Sequence, residues 1–127
     1  MTATGKVLNV KVGETLQEAG KRAADAMRAA AAGRAAAPYF GISVPQVGQM
    51  LATFTPKRWE LIAALRQAGP LTVAELARLL GRNYKNVHVD VQQLISWMAV
   101  ERGDDGRVAV PWSEIVVDMK LPEAAAA

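Results

Sequence analysis

Residues 71–94 read Leu-Thr-Val-Ala-Glu-Leu-Ala-Arg-Leu-Leu-Gly-Arg-Asn-Tyr-Lys-Asn-Val-His-Val-Asp-Val-Gln-Gln-Leu, and their caps and apolar spacing restrict them to two helices joined by one tight turn. Thr72 and Glu75 stand at the separation of a capping box, in which each side chain accepts from the other residue's backbone N–H. Val73, Leu76, Ala77 and Leu80 recur at three- and four-residue steps and so share one side of the first helix. Gly81 ends it, because glycine takes the left-handed conformation of a helix terminus without a Cβ penalty. Asn83 is the N-cap of the second helix, along which Tyr84, Val87, Val91, Leu94 and Met98 form the expected inward stripe. The opposite side carries Lys85, His88, Val89, Gln92 and Ser96, with Asn86 and Gln93 on its margin.

A polar helix face is usually only a solvated one, so the sequence that follows matters. Ala99–Arg102 and Arg107–Pro111 are short strand-like runs around Gly103-Asp-Asp-Gly106, a hairpin turn signal. A helix-turn-helix followed by a hairpin is the pattern of a winged helix, which lays its second helix in the DNA major groove. Ammonium, amide and imidazole groups at that face can reach base edges and phosphates. The alternative use of this arrangement is protein docking without DNA.

The stretch from Thr55 to Leu121, about half the chain, resembles the winged-helix DNA-binding regulators of the MarR-like type found in archaea and bacteria. The segment Gly81-Arg-Asn-Tyr-Lys-Asn-Val-His-Val-Asp-Val91 carries most of the likeness, with Thr55-Pro-Lys-Arg58 and Gly106-Arg-Val-Ala-Val-Pro-Trp112 in support. In that motif position 89 is usually basic and a glycine stands near the end of the recognition helix, where this chain has Val89 and Met98. The resemblance implies a transcription regulator. Some of those relatives resemble the antitoxin half of toxin–antitoxin modules, which implies here an antitoxin that represses its own operon and covers a cognate toxin.

At 127 residues, about half of them apolar, the chain is long enough for one core plus an arm. It has no cysteine, which excludes disulfides and thiolate metal sites. The expectation is a cytoplasmic protein without membrane association: no apolar run reaches the roughly 18 residues of a spanning helix, and the N-terminus lacks a signal-peptide pattern. Lys and Arg outnumber Asp and Glu over residues 1–93, and the balance reverses over 94–127. With a net charge of only +3, each subunit offers few phosphate contacts, so tight binding to double-stranded DNA calls for a homodimer on two half-sites.

Three stretches follow from this reading. Residues 1–42 form an N-terminal strand–helix arm and linker for dimerisation or partner binding. In it Leu8, Val10 and Val12 alternate as a half-buried strand, and residues 14–34 make an alanine-rich helix with Leu16, Ala19, Ala23 or Ala24, and Met27 on a thin apolar stripe. Ala29–Ala37 is a frayed end and linker that Pro38 closes. Leu16 and Met27 are the candidate partner-binding residues. Residues 43–121 form the winged helix-turn-helix domain, opening with a short helix that Ser43 and Gln46 cap and that points Val47, Met50 and Leu51 inward. Thr55 with Pro56 then starts a helix with Leu61, Ile62 and Leu65 in the core, and Lys57 and Arg58 in its first turn either help hold a phosphate or form a solvated surface. Ile115, Val117, Met119 and Leu121 form a second alternating strand, which pairs with residues 6–12 within a chain or across a dimer. Residues 122–127 are a disordered tail. The expected fold class is mainly α with small β (α+β).

Enzymatic motifs are absent. One histidine and no cysteine rule out the common nucleophile pairs and multi-histidine zinc sites, and no cofactor or metal is expected. Asp104 and Asp105 are turn formers between glycines. The DNA-facing set is Lys85, Asn86, His88, Val89 and Gln92 at bases, with Val89 able to pack on a thymine methyl, and Arg82, Tyr84, Arg102 and Arg107 near the backbone.

Overall fold

The computed structural model describes residues 6–34 and 39–121. Ten elements follow one another: β1 (Val7–Val12), α1 (Leu16–Ala31), β2 (Phe40–Val44), α2 (Val47–Thr53), α3 (Pro56–Ala68), α4 (Val73–Leu80), α5 (Tyr84–Ser96), β3 (Glu101–Arg102), β4 (Val108–Ala109) and β5 (Glu114–Met119). The result is a small α+β fold.

The two terminal strands pair within one chain. β1 is the central strand of a three-stranded sheet in the order β2-β1-β5, parallel to both neighbours, with Leu8 opposite Phe40 and Ile115 and Val10 opposite Ile42 and Val117. Since side chains alternate along a strand, those residues all share one face. That face joins the helices in a single core: Leu8, Val10, Val12 and Val44 are buried in one cluster with Phe54, Leu61, Leu65, Leu76, Val87, Val91, Leu94 and Trp112. The strand–helix arm is therefore not separate from the rest, and the boundary expected at residue 42 falls inside β2.

β2 itself departs from the expected linker. Its alternation of Phe40, Ile42 and Val44 with Gly41 and Ser43 is a strand pattern, and pairing with β1 decides it. Ser43 accordingly does not cap a helix but donates to Glu14 at 3.0 Å. α2 starts after Gln46 without a side-chain cap, and Val47 and Leu51 are exposed while Met50 is buried. At the other edge, Met119 is half-exposed and Leu121 lies beyond β5, 81% exposed, so neither is buried as the alternation suggested.

α1 is shorter than residues 14–34, and its apolar side faces outward. Thr15 and Glu18 form a reciprocal capping box at its start. No residue of α1 is buried, and Leu16 and Met27 are 91% and 71% exposed. Its other side shares a polar cleft with the second face of the sheet, where Glu18, Lys21, Arg22 and Asp25 of the helix meet Lys11 and Asp118 of the strands. The helix turns its charges inward because that sheet face is itself charged: Lys11 and Asp118 are register partners bridged at 2.8 Å, Arg22 pairs with Glu14, and Lys120 reaches Glu18 at 3.4 Å. Residues 35–38 and 122–127, the later part of the expected linker and the expected disordered tail, lie outside the described residues.

Candidate nucleic-acid interface

α4 and α5 form as their caps dictate. Thr72 and Glu75 complete a reciprocal capping box at the start of α4, and Gly81 closes it at φ 63°, in the left-handed region. The Asn83 side chain accepts from the N–H groups of Lys85 and Asn86, which starts α5 after a turn of three residues. Val87, Val91 and Leu94 are fully buried and hold α5 on the core. Tyr84 and Met98, expected in that stripe, are instead exposed at its two ends.

The outward side of α5 presents Lys85, Asn86, Val89, Gln92, Gln93 and Ser96 to solvent, with His88 half-buried among them. The His88 ring stacks against Tyr84 with centroids 6.0 Å apart, and its Nε2 lies 3.4 Å from the Gln92 amide. Five of the residues expected to meet DNA thus lie on one face of one helix.

The β3–β4 hairpin follows directly. Gly103 N–H donates to Arg107 O at 2.8 Å, Asp105 accepts from the Arg107 N–H, and Gly106 sits at φ 81°, so Asp105 shapes the turn. Leu71, just before α4, exchanges both backbone hydrogen bonds with Val108, which ties the hairpin to the start of the helix pair. Trp112 Nε1 donates to Met98 O at 2.8 Å and anchors the far end of the hairpin beneath α5. Arg102 and Arg107 are exposed on it, Arg102 folding back toward Gly106 O at 3.4 Å.

Arg58 and Arg82 converge on one carboxylate. The Asp90 carboxylate accepts from Arg58 Nε at 3.0 Å and from Arg82 Nη2 at 2.7 Å, with all three side chains largely buried. Arg58 Nη1 also donates to Thr53 O at 2.8 Å. Arg58 is thus spent on holding α3 to α5 and is not free in the first turn of α3, whereas Lys57 beside it is exposed. Asp90 was absent from the residues expected at the site. Its only sequence signal is that it is the one acid of α5, which does not name partners 8 and 32 residues away.

Leu16 and Met27 belong to a different part of the molecule, on α1, and are not brought to the α5 face. Among the described residues no helix is long and apolar enough to cross a membrane.

Residues 53–117 match the model of a protein family described as HVO_A0114. The matched segment spans α3 to the middle of β5, which includes every residue of the α5 face and the hairpin, and leaves out β1, α1 and β2. A comparison with curated proteins found no match.

Proposed function

The chain belongs to the HVO_A0114 family, and from the geometry of α5 we propose that it is a sequence-specific, double-stranded-DNA-binding transcription regulator of the winged helix-turn-helix type. One observation carries the reading. The exposed side of a firmly seated helix, capped after a three-residue turn and followed at once by a hairpin, collects Lys85, Asn86, His88, Val89 and Gln92. Donors and acceptors in that array suit base edges in the major groove, with Val89 offering an apolar contact to a thymine methyl. Arg102 and Arg107 on the hairpin and Tyr84 at the start of α5 serve the backbone.

Few basic groups face outward per subunit, so the regulator works as a homodimer with its two recognition helices about 34 Å apart, one DNA turn. The antitoxin form of the reading draws on α1, whose Leu16 and Met27 are apolar anchors open to a cognate toxin.

A mobility-shift titration over the DNA upstream of the reading frame tests the proposal. Lys85→Ala and Gln92→Ala are each expected to weaken specific binding by about 1–3 kcal/mol, roughly tenfold to a hundredfold, with unchanged helicity. Absence of any complex at low salt would leave protein docking as the use of this fold. Sedimentation of the free protein as a monomer at tens of micromolar, and again on DNA, would remove the two-half-site arrangement.

A further inference from the structure

Between the N-terminal turns of α3 and α5 lies an open cleft lined by Lys57, Arg82, Asn83, Asn86, Val89 and Asp90. Its polar groups are unbalanced. Asp90 is its one anion, and both carboxylate oxygens already accept from arginine, one from Arg58 and one from Arg82. Arg82 Nη1 is buried without an acceptor among the described residues. Asn83 spends its side-chain oxygen on the N–H groups of Lys85 and Asn86, which leaves its amide nitrogen to donate. The Lys57 ammonium and the Asn86 amide are exposed, and neither has a side-chain partner among the described residues. Two cationic side chains and two amides thus border a space whose one carboxylate already serves two arginines.

Donors outnumber acceptors in this lining, so the cleft favours an acceptor-rich ligand supplied from outside. The ligand that fits is compact, anionic and carries several acceptor oxygens. A phosphate meets that description, and both helix dipoles add to the attraction at this end. The cleft also adjoins Val89 and Asn86, at the N-terminal end of the α5 face.

We infer that this cleft seats one phosphate of the DNA backbone, gripped by Lys57, Arg82, Asn83 and Asn86, and that it sets the angle at which α5 enters the groove. The inference rests on the DNA-binding reading and moves Asn86 from base recognition to the backbone. The Arg58–Asp90–Arg82 bridge then has a purpose: it positions the Arg82 guanidinium at the edge of the cleft.

The test uses the intact protein, the upstream duplex and a scrambled duplex, titrated between about 50 and 200 mM KCl. Each neutralised phosphate contributes a slope of about −0.9 to log K against log salt, so Lys57→Ala should make the slope shallower by about that amount. Asn86→Ala should weaken both duplexes by the same factor, whereas a base contact would relax preference at one position. Both residues are exposed and cap nothing, so circular dichroism should match the parent protein.

An unchanged slope for Lys57→Ala, or a relaxed base preference for Asn86→Ala, overturns the backbone seat while leaving DNA binding standing. If the parent protein binds neither duplex, the regulator reading fails with it, and inorganic phosphate titrated into the 15N-labelled protein separates the remaining cases. Shifts of the Asn83 and Asn86 amides that vanish in Lys57→Ala would assign the cleft to free phosphate. No shift would remove the site altogether.

Discussion

Met98 is the one described non-glycine residue with positive φ, at 68°. It occupies the position just past the end of α5, where Ala99 N–H donates to Leu94 O at 2.9 Å and Met98 N–H to Ile95 O at 3.0 Å. That is the closing pattern of a helix whose terminal residue is usually glycine, so the methionine does not prolong the helix and accepts the left-handed backbone instead. The conformation costs a side-chain-bearing residue about 1–2 kcal/mol, and the half-exposed Met98 side chain recovers little of it by burial. Met98→Gly is therefore expected to be neutral or to stabilise by up to about 1 kcal/mol, the gain being limited by the freer unfolded chain of glycine. Met98→Val, with a branch at Cβ, should destabilise by about 1–2 kcal/mol. Thermal melts of the two variants check the sign of each.

At the scale of the element, α1 is held by charge more than by apolar packing, and its attachment should depend on acidity. The Arg22 guanidinium donates to Glu14 and holds its carboxyl below the ordinary carboxylate value, helped by the Ser43 hydroxyl. Asp118 is lowered by its hydrogen bond to Lys11, and Glu18 by the N–H and hydroxyl of Thr15 and then by Lys120. A carboxylate with a depressed folded-state pKa contributes stability that is full above its ordinary value and is lost as the pH falls through the folded value. Lys11, raised chiefly by Asp118, has the opposite sign, and its contribution falls away only in the alkaline range. Between neutrality and pH 5, the protection factors of the α1 amides, taken relative to the intrinsic exchange rate at each pH, should stay constant. Below about pH 4.5 the α1 amides should lose protection before those of α3 and α5. Glu14→Gln should loosen α1 at neutral pH and flatten that acid response, while an unchanged response would mean that packing, not this pair, fastens the helix.

For the whole molecule, the pairing of β1 with β5 across most of the chain makes the fold one cooperative body. Leu8, Val10 and Val12 enter the same core as the helix pair, and Trp112 spans the two regions by packing edge-on to Phe40 at 5.1 Å while hydrogen-bonding Met98. Val10→Ala should cost about 1.5–3 kcal/mol, as for any fully buried valine truncated in a close-packed interior. Removing residues 1–35 deletes the central strand and leaves β2 and β5 without a shared partner, exposing the apolar face of the sheet. Such a truncated chain should melt broadly or not at all by near-ultraviolet circular dichroism, and a sharp native-like transition would show residues 36–127 to be self-sufficient. Partner binding by α1 is therefore better tested by replacing Leu16 and Met27 with polar residues, which are exposed and leave the core intact.

Local chemistry was written in the chain. The Thr72–Glu75 box, the Asn83 cap, the Thr55-Pro56 start and the Gly81 stop each act within four residues, and the buried spacing of Leu61, Ile62, Leu65, Val87, Val91 and Leu94 follows from helical period alone. The exposed face of α5 could be read for the same reason. Which partners a surface finds is a different matter, because it depends on groups that meet only after collapse. Nothing in the spacing of Arg58, Arg82 and Asp90 says that two arginines share one carboxylate. Alternation in residues 7–12 marks a strand but not its neighbours, and only pairing with β5 about a hundred residues away made it central and drew residues 40–44 into the sheet. The spacing of α1 placed Leu16 and Met27 on one thin apolar stripe without saying what it would meet, and because the face of the sheet beside it carries Lys11 and Asp118, ion pairing turned its charged side in and left that stripe to solvent. Periodicity determines which residues share a face of an element, and tertiary packing alone decides what that face will meet.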